Sequence, residues 1–257
     1  MVTYLNFLSP RFKKYFENIS WLVLEKGVTL FVGLVVGIYV ARYLRPESFG
    51  LLNYAISFVS IFSAFSTLGM DQIIVRELAT KPENQLDLLG TGFILKLAGS
   101  CILIVVMLVV ILFMDHDSFT NTLILIIAVS ELFKVFEVIN YFFQAHVISK
   151  HVVQVQLLIN VVISFAKISL VFLHAQLIWF AVIIVIGSLF NAAGFIYAYY
   201  KREGSPWKWN FQKSLAYKLL YESWPLALYG LALNIQGRFD QVMLGTMLNN
   251  AEVGQYS

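Results

Sequence analysis

Charged side chains are scarce in this sequence: they fill 13% of its 257 positions, while hydrophobic residues fill 59%. Soluble domains carry about 25% and about 45–50% respectively, so an ordinary water-soluble fold is excluded. With a mean hydropathy of +0.76, the chain reads as an all-α, polytopic membrane protein. Its net charge of +3 is too small to argue for a nucleic-acid partner. There is a single cysteine, Cys101, which rules out a disulfide framework or a cysteine metal cluster. Lying within an apolar run, it is expected to be a buried small residue. His116, His146, His151 and His174 are scattered without metal spacing, and no nucleophile–base set is present. No metal or cofactor is therefore expected. The phosphate-cradling pattern GxxxxGK[ST] is missing, which argues against direct use of ATP. A cleavable signal is missing too. The first apolar run exceeds the about 7–15 residues of such a signal and lacks a small-residue exit site, so the first span is expected to act as its own insertion signal.

What is present is a succession of long apolar runs. A helix needs roughly 20 apolar residues to cross the hydrocarbon core, and residues 19–44 supply them. Further candidate spans are 50–68, 88–114, 119–143, 152–173, 177–200 and 221–248, seven in all. A basic head precedes the first, and a polar, helical stretch at 71–87 separates the second from the third. The turn Asp115-His116-Asp117-Ser118 is short and acidic, and the loop at 201–218 carries Lys and Trp. With the N-terminus in the cytoplasm, the inner segments hold Arg11, Lys13, Lys14, Arg76, Lys81, Lys150, Lys201, Arg202, Lys208, Lys213 and Lys218. The outer turns hold only Arg42 and Arg45. That asymmetry predicts an N-in orientation. Tyr199, Tyr200, Trp207 and Trp209 fit the interfacial aromatic belt at the sixth exit.

An internal echo links the two ends. Ser20-Trp21 opens the first span and Ser223-Trp224 the seventh, and Gly50 and Gly254, which follow their exits, are 204 positions apart. Six spans separate the copies, so both point the same way, as in parallel six-helix transporter repeats. The expected domains are a six-helix lobe at 1–218 and, at 219–257, the first helix of a second lobe. On that reading the whole protein is nearly twice as long.

Nine ionisable residues lie within the spans: Lys26, Lys96, Lys134, Lys167 and Arg238, with Glu25, Glu131, Glu137 and Asp240. Facing lipid, they would cost about 25 kcal/mol together, more than a fold can carry. They must face protein or water. Glu131, Lys134, Glu137, Asn140 and Gln144 form one drifting polar stripe, with Glu131–Lys134 and Lys134–Glu137 as natural i, i+3 pairs. Gln156, Asn160, Ser164, Lys167 and His174 share a second face, and Gly92, Lys96 and Gly99 a third. On the seventh span Arg238 and Asp240 are two apart and cannot pair with each other. Internal pairing would make these charges structural; otherwise they line a hydrated cavity basic enough to attract an anion. Lys96 and Lys167, lacking an acid on their own helices, favour the cavity. Thr29, Gly33, Gly37 and Ala41 form a small-residue ridge of the kind that packs helices, and Pro225 is expected at a helix start.

Three patches carry a resemblance. Residues 39–55 (YVARYLRPESFGLLNYA), 68–71 with 74–79 (LGMD, IVRELA), and 223–225 with 238–245 (SWP, RFDQVMLG) resemble Wzx-type polysaccharide flippases. The resemblance spans the chain and is weakest from about 107 to 215. It implies membership of the multidrug/oligosaccharidyl-lipid/polysaccharide exporter superfamily, with two six-helix bundles around a central cavity worked by alternating access. It also implies movement of undecaprenyl-diphosphate-linked oligosaccharide from the inner to the outer leaflet of the cell membrane, without enzymatic activity. Arg238 and Asp240 match the seventh-helix pattern of that family. The implied partners are the lipid-linked oligosaccharide and the bilayer, with the polysaccharide polymerase and chain-length proteins as candidates, and an ion gradient is a candidate driving force. A multidrug-type antiporter is the alternative; it calls for an acidic, aromatic cavity. A membrane glycosyltransferase or polymerase would need a larger extramembrane loop, and a non-transporting partner subunit stays open.

Overall fold

The computed structural model describes residues 10–114 and 117–257, with no strand among the described residues. Residues 1–9 of the basic head, the side chains of Arg11 and Lys13, and Asp115 and His116 of the acidic turn lie outside the described residues. The first two expected spans form one helix, α1 (Pro10–Phe62), kinked at Arg45, where φ is 61° and ψ 166°. The cause is Pro46, whose ring bars the residue before it from the helical region and whose missing N–H suits the start of a new helix. The expected turn at 46–50 is therefore helical, and the two spans meet at a kink. A short α2 (Ala64–Thr67) ends at Leu68 and Gly69, both left-handed at φ 51° and 65°. The polar connection folds as α3 (Asp71–Thr80) and a 3₁₀ turn at Pro82–Asn84, leading directly into α4 (Gln85–Phe113).

The fourth expected span is broken in two, α5 (Ser118–Lys134) and α6 (Glu137–Ala145). Then come α7 (Lys150–Phe172), α8 (Leu177–Glu203) and a 3₁₀ turn at Pro206–Lys208. The seventh expected span begins earlier than foreseen, as α9 (Lys213–Met247), and is followed by α10 (Asn250–Tyr256). Pro225 is thus inside a helix rather than at its start, and position 218, the expected domain boundary, falls within α9. Lys14–Thr80, Pro82–Phe113, Lys150–Phe172 and Leu177–Glu203 are long and apolar enough to cross a membrane. The first of these holds two of the expected spans.

α1 and α7 run side by side in the same direction. Lys14 Nζ donates to the His146 carbonyl (3.0 Å), Ser149 N–H to Asn18 Oδ1 (2.7 Å), Asn160 Nδ2 to Thr29 Oγ1 (2.9 Å) and Tyr43 O–H to the Ala175 carbonyl (3.0 Å), with partners 131 or 132 residues apart throughout. A constant offset is the signature of parallel helices. It places Lys14 and Lys150 at one end and Arg42 and Arg45 at the other. Of the expected aromatic belt, Tyr199 is buried and accepts from Trp209 Nε1 at 3.1 Å, while Tyr200 and Trp207 are exposed.

Two apolar clusters stack along the bundle. One gathers Val40, Leu52, Phe58, Leu103, Met107, Leu123, Ile127 and Phe180. The other gathers Met70, Ile74, Leu88, Leu89, Val138, Phe142, Phe195 and Tyr199. On α4 they are separated by Lys96 and Ser100, so a buried polar layer lies between them. Cys101, expected buried, is exposed, because Lys96, Ser100 and Leu103 set the inward face of α4 and Cys101 points away from it.

The repeated exits meet. A Cβ at Gly50 would collide with the Asn250 carbonyl oxygen, and one at Gly254 with that of Pro46. Pro46 and Asn250, like Gly50 and Gly254, are 204 positions apart, so the contact is reciprocal. Arg45 and Asn249, again 204 apart, are both non-helical. By contrast, nothing lies within 4 Å of a Cβ built at Gly33 or Gly37. The two glycines of the small-residue ridge do not pack the bundle, although Thr29 of the same ridge meets Asn160; α1 buries Glu25, Val36, Val40 and Leu44.

Gly50→Leu and Gly254→Leu should each cost about 1–3 kcal/mol by overpacking, while Gly33→Leu should stay within about 0.5 kcal/mol. The unfolding midpoint of the detergent-solubilised protein reads the difference. At the start of α5, Asp117 caps the helix by accepting from Thr120 N–H at 3.3 Å, and its hydrogen bonds with the Thr120 hydroxyl and backbone hold its carboxyl below the usual aspartate range. That contribution is present above the ordinary aspartate pKa and is lost as the pH falls through the lower, folded value. Asp117→Ala should cost about 1 kcal/mol near neutrality and progressively less in acid, as thermal unfolding at several pH values would record.

Candidate functional site

Lys96 is the largest charge problem in the bundle, being fully buried on α4. Its Nζ donates to the Tyr141 hydroxyl at 2.7 Å and lies 3.4 Å from Asp71 Oδ1 and 3.7 Å from Glu137 Oε2. The ammonium also sits 4.7 Å from the Tyr141 ring centroid. Three helices, α3, α4 and α6, therefore converge on one cation. The face of α4 shared by Gly92, Lys96 and Gly99 is a seat for neighbours: a Cβ at Gly92 would press on Ile74, and one at Gly99 on the Phe65 carbonyl. Lys96 faces the fold's own acids rather than an open cavity.

The break between α5 and α6 decides where the fourth-span charges go. Phe136 N–H bonds the Phe133 carbonyl (3.3 Å), Val138 that of Val135 (3.3 Å) and Ile139 that of Phe136 (3.0 Å), all i→i+3 contacts. This 3₁₀ tightening rotates α6 relative to α5, so the continuous polar stripe of an unbroken helix is not formed. Glu131 is buried and receives Lys134 Nζ at 2.6 Å, as the i, i+3 spacing foresees. Glu137 turns to Lys96, and no Lys134–Glu137 pair forms among the described residues. A serine relay from Ser66 (2.9 Å) through Ser100 reaches the Glu131 carbonyl at 3.2 Å.

Against this cluster opens a polar cavity of about 240 Å³. It is lined by Glu25 and Thr29 of α1, Phe133 and Lys134 of α5, Glu137 of α6, Gln156 and Asn160 of α7, and Ser188, Asn191, Ala192 and Phe195 of α8. Asn160 Nδ2 donates to Thr29 Oγ1 (2.9 Å), whose hydroxyl donates to Glu25 Oε1 (3.3 Å). Glu25 is buried, while Lys26, 3.5 Å from it, turns outward with its side chain 77% exposed. The structure thus brings Glu25, Lys134, Glu137 and Asn160 to one wall, with Glu131 and Lys96 behind them. The lining holds two carboxylates and one ammonium, so it is mixed in sign and not the strongly basic surface that the lysine count suggests.

The remaining candidates lie elsewhere. Lys167 is half-buried on α7, two turns beyond Asn160, with no hydrogen bond or ion pair among the described residues. Arg238 donates to Gln241 Oε1 at 3.3 Å, and Gln241 also receives the Ser57 hydroxyl of α1. Asp240 is exposed and accepts from Tyr256 O–H of α10 at 3.1 Å. As their spacing requires, Arg238 and Asp240 find separate partners.

Sequence reasoning missed Glu77. It is buried on α3 and gathers Lys218 at 3.0 Å, Lys81 at 3.1 Å and Arg76 at 3.3 Å, while Arg76 reaches Glu222 at 2.5 Å. This ionic cluster ties the start of α9 to α3. The readable signal was the i, i+4 spacing of Glu77–Lys81 and Lys218–Glu222; what joins the two pairs is tertiary.

Residues 15–257 match the model of the family described as polysaccharide biosynthesis protein. The chain belongs to that family. No curated protein and no solved structure gives a match. The family match agrees with the resemblance carried by residues 39–55, 68–79 and 223–245. It makes the chain a membrane protein of polysaccharide biosynthesis, in a family of flippases and transporters rather than enzymes.

Removing Lys96 leaves Asp71 and Glu137, which are partly exposed, without their shared cation. Lys96→Met should therefore destabilise this family member by about 1.5–3 kcal/mol, the worth of hydrogen bonds to a charged group, and adding Glu137→Gln should recover part of the loss. Lys167→Met, which breaks no pair, should not lower stability. Chemical denaturation in detergent distinguishes the three variants.

Proposed function

We propose that this protein acts as a flippase that carries an undecaprenyl-diphosphate-linked oligosaccharide from the inner to the outer leaflet of the cell membrane by alternating access. The observation that carries the reading is the polar cavity walled by α1, α5, α6, α7 and α8 in a chain of the polysaccharide biosynthesis family. Sugars present hydroxyls that both donate and accept. Glu25 and Glu137 accept hydrogen bonds from hydroxyls, while Gln156, Asn160, Ser188 and Asn191 offer amides and hydroxyls that both donate and accept. The cavity's about 240 Å³ falls below the 300–1,000 Å³ of usual ligand pockets, so it suits a sugar-facing wall better than a complete path for a repeat unit.

The diphosphate needs cations not already neutralised. Lys96 and Lys134 are held by the protein's own acids, which leaves Lys167 and Arg238 as the cationic contacts. A charge-assisted bond to phosphate at half-buried lysine or arginine is stronger than the same bond in water. The seven-span, N-in topology, the division into lobes at 1–218 and 219–257, and service to O-antigen or other lipopolysaccharide assembly complete the proposal. The family match favours this reading over a small-molecule antiporter.

The test is complementation of a flippase-null strain with the gene that encodes this chain. Wild type should restore surface polysaccharide. Glu25→Gln and Asn160→Ala should each cut export about tenfold, the worth of a lost buried hydrogen bond, and Lys26→Ala should leave it unchanged. Normal export in both cavity variants would remove the cavity from the transport path, and no restoration by wild type would reject the flippase reading itself.

A further inference from the structure

At the end of the bundle that carries the basic loops, a groove of about 410 Å³ runs along α7 and α8. The two helices are antiparallel and close-packed, with Gly187 facing Ile163 and Gly194 in contact with Val155, which also lines the groove. This groove is separate from the polar cavity: no lining residue is shared between them. It is also built differently, being graded from polar to apolar along its length. His151, Gln154, Lys201 and Arg202 lie toward the helix ends, and Leu158 and Tyr197 farther in. Leu158 and Tyr197 are 66% and 64% exposed, an apolar wall with no protein cover among the described residues.

The charge at the mouth is not neutralised from within. Lys201 makes no ion pair or hydrogen bond among the described residues. Among the described residues Arg202 meets only its chain neighbour, Glu203, at 3.7 Å. Nearby Lys150 is already engaged, 3.6 Å from Glu17 and over the Trp21 ring at 5.4 Å, so Lys201 and Arg202 are the cations that the groove itself presents. Two cations above an exposed aliphatic and aromatic wall, at the level where helices leave the bilayer, complement a molecule with an anionic head and an acyl tail. A soluble anion would leave the wall of Leu158 and Tyr197 unused, and a zwitterionic lipid would bring its own cation to the mouth.

We propose that this groove is a binding site for an anionic glycerophospholipid, whose phosphate is held by Lys201 and Arg202 and whose acyl chain lies along Leu158 and Tyr197. Basic pockets between membrane helices hold lipid head groups in this way. The site lies outside the cavity assigned to the oligosaccharide, and the inference does not depend on the transport reading.

Native mass spectrometry of the full chain in detergent, with phosphatidylglycerol or phosphatidylcholine added, tests it. Wild type should retain phosphatidylglycerol well above phosphatidylcholine. Lys201→Gln with Arg202→Gln should weaken phosphatidylglycerol retention about 25-fold, two cations at about 1 kcal/mol each, and leave phosphatidylcholine retention unchanged. Leu158→Trp, which fills the groove without altering charge, should also weaken it. Lys208→Gln with Lys213→Gln, which removes the same charge from the neighbouring loop, should have little effect. Equal retention of the two lipids would overturn the proposal. So would an equal loss in the loop variant, which would mark diffuse surface charge, or displacement by millimolar inorganic phosphate, which would mark a free-anion site.

Discussion

A buried ammonium group must find carboxylates within a few ångströms or give up its charge, and Lys96 is the group around which that requirement organises the bundle. Its partners, Asp71 and Glu137, come from helices before and after α4 in the chain. Satisfying it docks α3 against α4, sets the rotation of α6, and gives the bundle a polar layer between its two apolar clusters. The 3₁₀ break after Lys134 belongs to the same solution. An unbroken helix would keep Glu137 beside Lys134; the break leaves Glu131 to serve Lys134 while Glu137 joins Asp71 at Lys96.

The glycines show a second constraint, close approach of backbones. Gly50 and Gly254 permit a reciprocal contact between the exits of the first and last long helices. Their positions in the chain were visible as an echo, and the paired breaks at Arg45 and Asn249 strengthen it. That the two exits touch each other is a property of the fold alone. The ridge of Thr29, Gly33, Gly37 and Ala41 carries the same kind of signal in sequence, yet its glycines face open space. Small-residue spacing identifies a surface that could be approached closely, and only the arrangement of helices decides whether anything approaches it.

The site was legible in part. The polar faces of the first, fourth and fifth spans hold Glu25, Lys134, Glu137 and Asn160, which line one cavity; periodicity along one helix reports which side is polar. The sign of the wall was not legible. Counting lysines suggests a basic surface, but charge in a cavity depends on which cations are neutralised, and Lys96 meets its acids across helices. Glu77 escaped notice for the same reason: two ordinary i, i+4 pairs become a buried cluster only when α9 lies on α3.

By itself, the sequence determined the class of the protein. Long apolar runs with few charges leave helices as the way to satisfy every backbone hydrogen bond within each segment, and the cost of charge in lipid requires the ionisable residues to turn inward. Those are constraints on single helices, so a single strand of text can express them. The tertiary structure decided which inward charges hold the fold together and which remain open to a ligand. Pairing depends on the relative height and rotation of different helices, and a shift of one residue on α6, about 100° around its axis, would take Glu137 away from Lys96.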